Sequence, residues 1–148
     1  MDFNQFDSRA AGDRGAWMHV HSPVDGKPLH TEDSKPCRVR VLGIEGEIGQ
    51  KVFAEVRKGL TGEDSTEDGN EKLMRQTVPL VVEFENINRG DKPAKAPEDV
   101  EWFLGLQRVV GGDYPSFVEQ VRAFSIRRAN VMGNAFGGSS KPQSKSVG

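Results

Sequence analysis

A chain of 148 residues with 35% hydrophobic residues, 17 Gly and 8 Pro has the length of one domain with a modest core, of which about 100 to 110 residues are expected to be ordered. A formal net charge of −2 excludes a generally basic nucleic-acid binder, and the single cysteine, Cys37, excludes an intrachain disulfide. The acidic opening lacks the basic region and apolar run of a signal peptide, and the longest mostly apolar stretch, 78–82, contains Pro79 and is too short to span a bilayer, so a cytoplasmic protein is expected.

Residues 1–15 read as an N-terminal arm. Phe3 and Phe6 would share one face of a short helix, and the reading preferred here is that they anchor the arm on the core. Residues 16–135 read as a single α+β domain. Trp17-Met18-His19-Val20-His21 alternates, and Pro23-Val24-Asp25-Gly26-Lys27-Pro28 supplies turn chemistry, with Asp-Gly its strongest element. Residues 37–44 have period-2 spacing that points Cys37, Val39 and Val41 inward and Arg38 and Arg40 outward. A small antiparallel sheet, solvated on one face, is expected from these runs.

Residues 45–60 switch to helical spacing. Ile48, Val52 and Val56 form a stripe flanked by Phe53 and Leu60. The segment 61–70 is acidic and apolar-poor, the composition of a mobile loop. Residues 71–87 admit a helix running into Pro79 followed by a further turn, or by an extended piece such as an edge strand over 78–84. After a polar connector at 88–95, Pro97, Glu98 and Asp99 suit a first helical turn, and Val100, Phe103 and Leu104 share a face widened by Trp102 and Leu106. Gly111-Gly112-Asp113 breaks that helix. Ser116 and Glu119 form a capping box for the next, which runs to Met132 with Phe117, Val121 and Phe124 along one side. The expected layout is an N-terminal sheet or hairpin followed by a helical bundle of about four helices. A disordered Gly/Ser/Lys tail occupies 136–148.

Chemistry-bearing residues are sparse. His19 and His21 would project from one strand face and, with His30 and a carboxylate, offer imidazoles to a metal, but no second motif supplies the remaining ligands. Cys37 reads as a small buried hydrophobe rather than a nucleophile. Glu98, Asp99 and Glu101 read as complements to a helix dipole. The glycines of 43–49 match no phosphate-binding fingerprint. Arg127, Arg128, Lys141 and Lys145 lack interleaved aromatics, so nucleic acid is not expected as a partner. No catalytic, cofactor-binding or metal-ligating residue is assigned. Charge is unevenly spread: residues 61–101 hold eleven acidic side chains against five basic, and 102–148 six basic against two acidic. The bet for recognition is the aromatic helix pair, with Trp102, Phe103, Phe117, Val121 and Phe124. The same five also suit the domain's own core, in which case the margin with Arg122, Arg127 and Arg128 is the contact surface.

The ordered stretches Phe3-Asn-Gln-Phe-Asp-Ser-Arg-Ala-Ala11, His21-Ser-Pro-Val-Asp-Gly-Lys-Pro-Leu29, Phe84-Glu-Asn-Ile87, Asp99-Val-Glu-Trp-Phe-Leu104 and the run from Phe117 to Gly133 resemble the tail assembly chaperones of long-tailed phages and prophages. The resemblance implies a non-enzymatic protein encoded near the tape-measure gene. Its partners would be the tape-measure protein, which it keeps soluble, and the tail-tube protein, which it recruits. Self-association stays open. Such a protein works in the bacterial cytoplasm and is absent from the mature virion. Some such systems also make a longer form by translational frameshifting. Two other readings stand beside it: a tail or head–tail connector component retained in the virion, and a small phage regulator or host-defence inhibitor acting by protein binding.

Overall fold

In the computed structural model the described residues are 1–61, 69–108 and 111–133, with the backbone alone described at 59–61. Strands β1 (Ala16–His19), β2 (Arg38–Val41) and β3 (Val81–Glu85) form an antiparallel sheet in the order β1-β2-β3. Alternation sorts its two faces. Met18, Val39, Val41 and Val81 are buried, while the other face carries the rows Trp17–Arg40–Glu83 and His19–Arg38–Glu85. Arg40 pairs with Glu83 at 2.9 Å, Arg38 pairs with Glu85, and the Arg38 guanidinium lies 5.1 Å from the Trp17 ring centroid. These cross-strand contacts allow a sheet with one wet face. The register slips by one residue between Arg40 and Val41, which marks a bulge beside an edge strand.

Six helices and a minor hairpin complete the α+β fold among the described residues: α1 (Ser8–Arg14), α2 (Glu47–Thr61), α3 (Gly69–Thr77), α4 (Val100–Leu104), α5 (Phe117–Ser125), α6 (Arg128–Met132), and the strands β4 (Asn88–Arg89) and β5 (Lys92–Pro93). The core lies under the inner sheet face. There Phe103 stacks on Phe117 at 4.7 Å and meets Phe84 edge-on at 5.4 Å. Ser125 donates its hydroxyl to the Leu42 carbonyl at 2.7 Å, so the buried end of α5 is fixed to the exit of β2. No helix among the described residues is long and apolar enough to cross a membrane.

Of the two readings open for 71–87, the structure has the extended one: α3 runs to Thr77, residues 78–80 are a 3-10 turn and 81–85 are the edge strand β3 that completes the sheet. At other points the structure departs from the sequence reading. The polar connector at 88–95 holds the hairpin β4–β5. The helix expected from Pro97 begins only at Val100 and is five residues long; Asp99 stands at its N-cap without capping it, its carboxylate accepting instead from Lys95 N at 2.8 Å and Arg89 Nη1 at 3.0 Å, which binds the hairpin to α4. The helix expected over 116–132 is two, α5 and α6, separated at Ile126 and by the extended backbone of Arg127.

Phe3 and Phe6 are 73% and 49% exposed and meet edge-on at 5.4 Å, and Phe6 lines a surface hollow with Met132. Further along the arm Ala11 packs with Val131 and Met132, and Gly12 is buried. A Cβ on Gly12 would lie 2.5 Å from Gly46 N, so α1 approaches the 43–46 turn as closely as backbones allow. The glycines of that turn serve this packing. Asp13 also caps α2 from outside it, accepting Glu47 N at 2.7 Å. Most of the acidic loop expected over 61–70, at 62–68, lies outside the described residues, as does the tail expected over 136–148.

Candidate functional site

The 20–37 excursion between β1 and β2 folds back as a hairpin, with Leu29 N bonded to Val20 O and Cys37 N to Leu29 O. Its tip turns on Ser22, whose backbone carbonyl accepts Gly26 N and whose hydroxyl accepts Val24 N. Gly26 adopts φ +76, and a Cβ there would stand 2.6 Å from Tyr114 Cδ1, so the Tyr114 ring packs directly against the turn. Gln120 on α5 completes the junction: Oε1 accepts His21 N at 2.9 Å, while Nε2 donates to His21 O at 2.8 Å and Pro115 O at 3.1 Å.

Between the hairpin and α5 lies an open cleft of about 820 Å³. Met18, Pro28, Ala123 and Phe124 give it an apolar floor, and Lys27, Tyr114 and Arg127 stand at its rim. Most other polar groups around it are engaged with backbone. Glu119 accepts Ser116 N at 2.8 Å in the capping box and Gly111 N at 3.3 Å, and Asn130 donates to Phe124 O. Asp25 accepts Lys27 N at 3.1 Å, and that bond holds its carboxyl below the usual carboxylate range. An arrangement whose carboxylates each brace a turn or cap is built to hold a surface in shape. What it offers chemically is apolar contact, with a phenol, an ammonium and a guanidinium at the edge.

The residues singled out from sequence divide by burial. Phe103, Phe117 and Val121 are buried in the core and do not reach a partner in this fold. Trp102 is half-buried, with Arg89 5.4 Å from its ring centroid. Phe124 is half-buried on the cleft floor, and Arg127 is exposed beside it. Arg122 lies over the Phe53 ring at 5.1 Å, and its Nη1 is buried with no hydrogen-bond partner; burial lowers its basicity. Arg128 turns toward Glu45, with contacts of 2.6 and 2.7 Å. Thus only Phe124 and Arg127 of the eight meet in the cleft.

The three histidines do gather. His19 stacks edge-on with His30 at 4.8 Å and lies 5.7 Å from His21. His19 Nε2 faces Leu29 O at 2.8 Å and His21 Nδ1 faces His19 O at 3.0 Å, so one nitrogen of His19 and one of His21 are committed to backbone. No three His, Cys, Asp or Glu side chains among the described residues are placed to hold a metal ion. Cys37 is half-buried, not fully buried as its alternation predicts, because it lies just before β2 where Leu29 pairs with it. Burial pushes its thiol up, which disfavours the reactive thiolate.

Sequence reasoning misses Tyr114, Gln120, Met18 and Pro28 as members of one surface. The Asp-Gly turn is a legible signal for a hairpin tip, but nothing local links it to α5. No protein-family model matches the chain, and neither does any curated protein or solved structure.

Proposed function

We propose that the chain is a non-enzymatic tail assembly chaperone of a long-tailed phage or prophage, working in the host cytoplasm on the tape-measure protein and the tail-tube subunits. The cleft between the hairpin and α5 is the partner site. The observation that carries this reading is its apolar, unfilled floor of Met18, Pro28, Ala123 and Phe124, held open by the Gln120–His21 and Gly26–Tyr114 contacts. A braced apolar channel between two elements suits a partner helix laid along it by its apolar stripe. The engagement of Asp25 and Glu119 with backbone fits binding better than proton transfer. Quantitative mass spectrometry of infected cells and purified particles tests the role. The chain should be abundant in lysate complexes with the tape-measure protein and missing from particles. Recovery at fixed copy number in particles would instead make it a virion component.

A further inference from the structure

The tip of the 20–37 hairpin carries an aspartate followed by glycine, Asp25–Gly26, and Asp25 is exposed. With no Cβ on the following residue, the Gly26 nitrogen reaches the Asp25 side-chain carboxyl carbon with little hindrance. Attack there joins Gly26 N to Asp25 Cγ in a five-membered succinimide, and the hydroxyl of the carboxylic acid leaves with the amide proton as water. Water then re-enters. At Cγ it restores aspartate. At the former backbone carbonyl it leaves the chain running through Cβ and Cγ, an isoaspartate of unchanged mass with one extra methylene in the main chain. The sequence of steps needs water alone and no redox partner.

We propose that Asp25–Gly26 is a covalent modification site, at which isoaspartate formation unfastens the hairpin from Tyr114 and Gln120 and loosens one wall of the cleft. The turn governs the rate. Gly26 N–H donates to Ser22 O at 2.9 Å, and that proton must leave before the nitrogen attacks. The Asp25 carboxyl accepts Lys27 N at 3.1 Å, a bond that favours the ionised form, whereas the acid is the form that loses water. Ser22 Oγ accepts Val24 N at 3.0 Å and Asp25 N at 3.3 Å, so Ser22 is the positioning residue that keeps the turn in its slow shape. The turn also sets the consequence. Ser22 N donates to Lys27 O at 2.8 Å, Gly26 is bonded to Ser22 O, and a Cβ on Gly26 would stand 2.6 Å from the Tyr114 ring. A main chain longer by one carbon–carbon bond, about 1.5 Å, enters between these fixed points. Lys27 and Pro28, next along the chain, line the cleft. The proposal is independent of the tail-assembly reading, because neither the reaction nor the loosening involves a partner.

The test ages the full chain at neutral pH and maps it over time by proteolysis and liquid chromatography–mass spectrometry, which separates the isoaspartyl peptide from its parent at unchanged mass. Isoaspartate should accumulate at residue 25, about fivefold more slowly than in a free peptide of residues 20–31. Ser22→Ala should move the rate towards that of the peptide, while Ser22→Thr, which keeps the hydroxyl, should stay slow. In chains carrying isoaspartate, amide exchange at His21 and Gly26 should rise. Asp25→Glu, which would need a six-membered ring, should form none and keep its exchange unchanged on ageing. An Asp25 that stays unconverted while Asp68–Gly69, the other Asp-Gly of the chain, converts in the same sample would overturn the proposal. So would a rate equal to that of the free peptide, a Ser22→Ala chain no faster than wild type, or isoaspartyl chains whose His21 exchange matches the unmodified protein.

Discussion

Gln120 holds His21 at both backbone atoms, accepting its N–H at 2.9 Å and donating to its carbonyl at 2.8 Å across 99 residues of sequence. One side-chain amide here does the work of a strand neighbour and ties the hairpin to α5. Gln120→Ala should lower stability by about 1 kcal/mol, since each such bond contributes modestly net of water. It should also raise amide exchange at His21 well above the change at Val39. Gln120→Glu should be worse than Ala at neutral pH, because a carboxylate then faces the His21 carbonyl, and should recover as acid restores a donor. Urea titrations with hydrogen-exchange mass spectrometry read both effects.

Gly26 and Tyr114 form the second brace. Gly26→Ala adds a Cβ 2.6 Å from the ring at a residue with φ +76, and should destabilise by about 2 kcal/mol through strain and overlap. In the background of Tyr114→Ala the same substitution should be less costly, because the overlap is gone and only the backbone term remains. A double-mutant cycle measures this coupling.

Core and cleft separate on α5. Val121→Ala removes two fully buried methyl groups and should lower stability by about 2 kcal/mol. Phe124→Ala, at a half-buried position on the cleft floor, should cost about 1 kcal/mol or less and act mainly on partner binding. Equal stability losses would contradict the burial difference between them.

Glu45 joins α6 to the turn before α2. Hydrogen bonds from Arg128 hold its carboxyl below its ordinary value, with partial burial acting the other way. Because the folded value is the lower one, the stabilisation is fully present above the unfolded value of 4.5 and is lost as pH falls through the folded one. Arg128→Gln should therefore lower the urea midpoint at neutral pH and converge on wild type in acid. Midpoints that stay parallel from about pH 7 to about pH 3 would remove this pair as a contributor.

What was legible in the sequence was local and periodic. The alternation at 38–41, the Asp-Gly turn and the Ser116–Glu119 box each state their geometry within a few residues, and the structure has all three. Residues 78–84 are ambiguous because Pro79 interrupts either pattern; the partners that the strand finds on β2, with Arg38 and Arg40 opposite Glu85 and Glu83, lie some forty residues away in sequence. The short α4 was hidden because Asp99 has the composition of a helix start while serving a hairpin. The cleft was the least readable feature. Its walls come from the first thirty residues and from 114–130, and the amide and glycine contacts that join them have no period.

The central claim is that the cleft binds the tape-measure protein. The most direct measurement is the soluble fraction of that protein when co-expressed with the wild-type chain and with Phe124→Asp, each variant first shown to be folded. The account predicts a soluble complex with wild type and an aggregated tape-measure protein with Phe124→Asp. A tape-measure protein equally soluble with both, or equally insoluble with both, would contradict it.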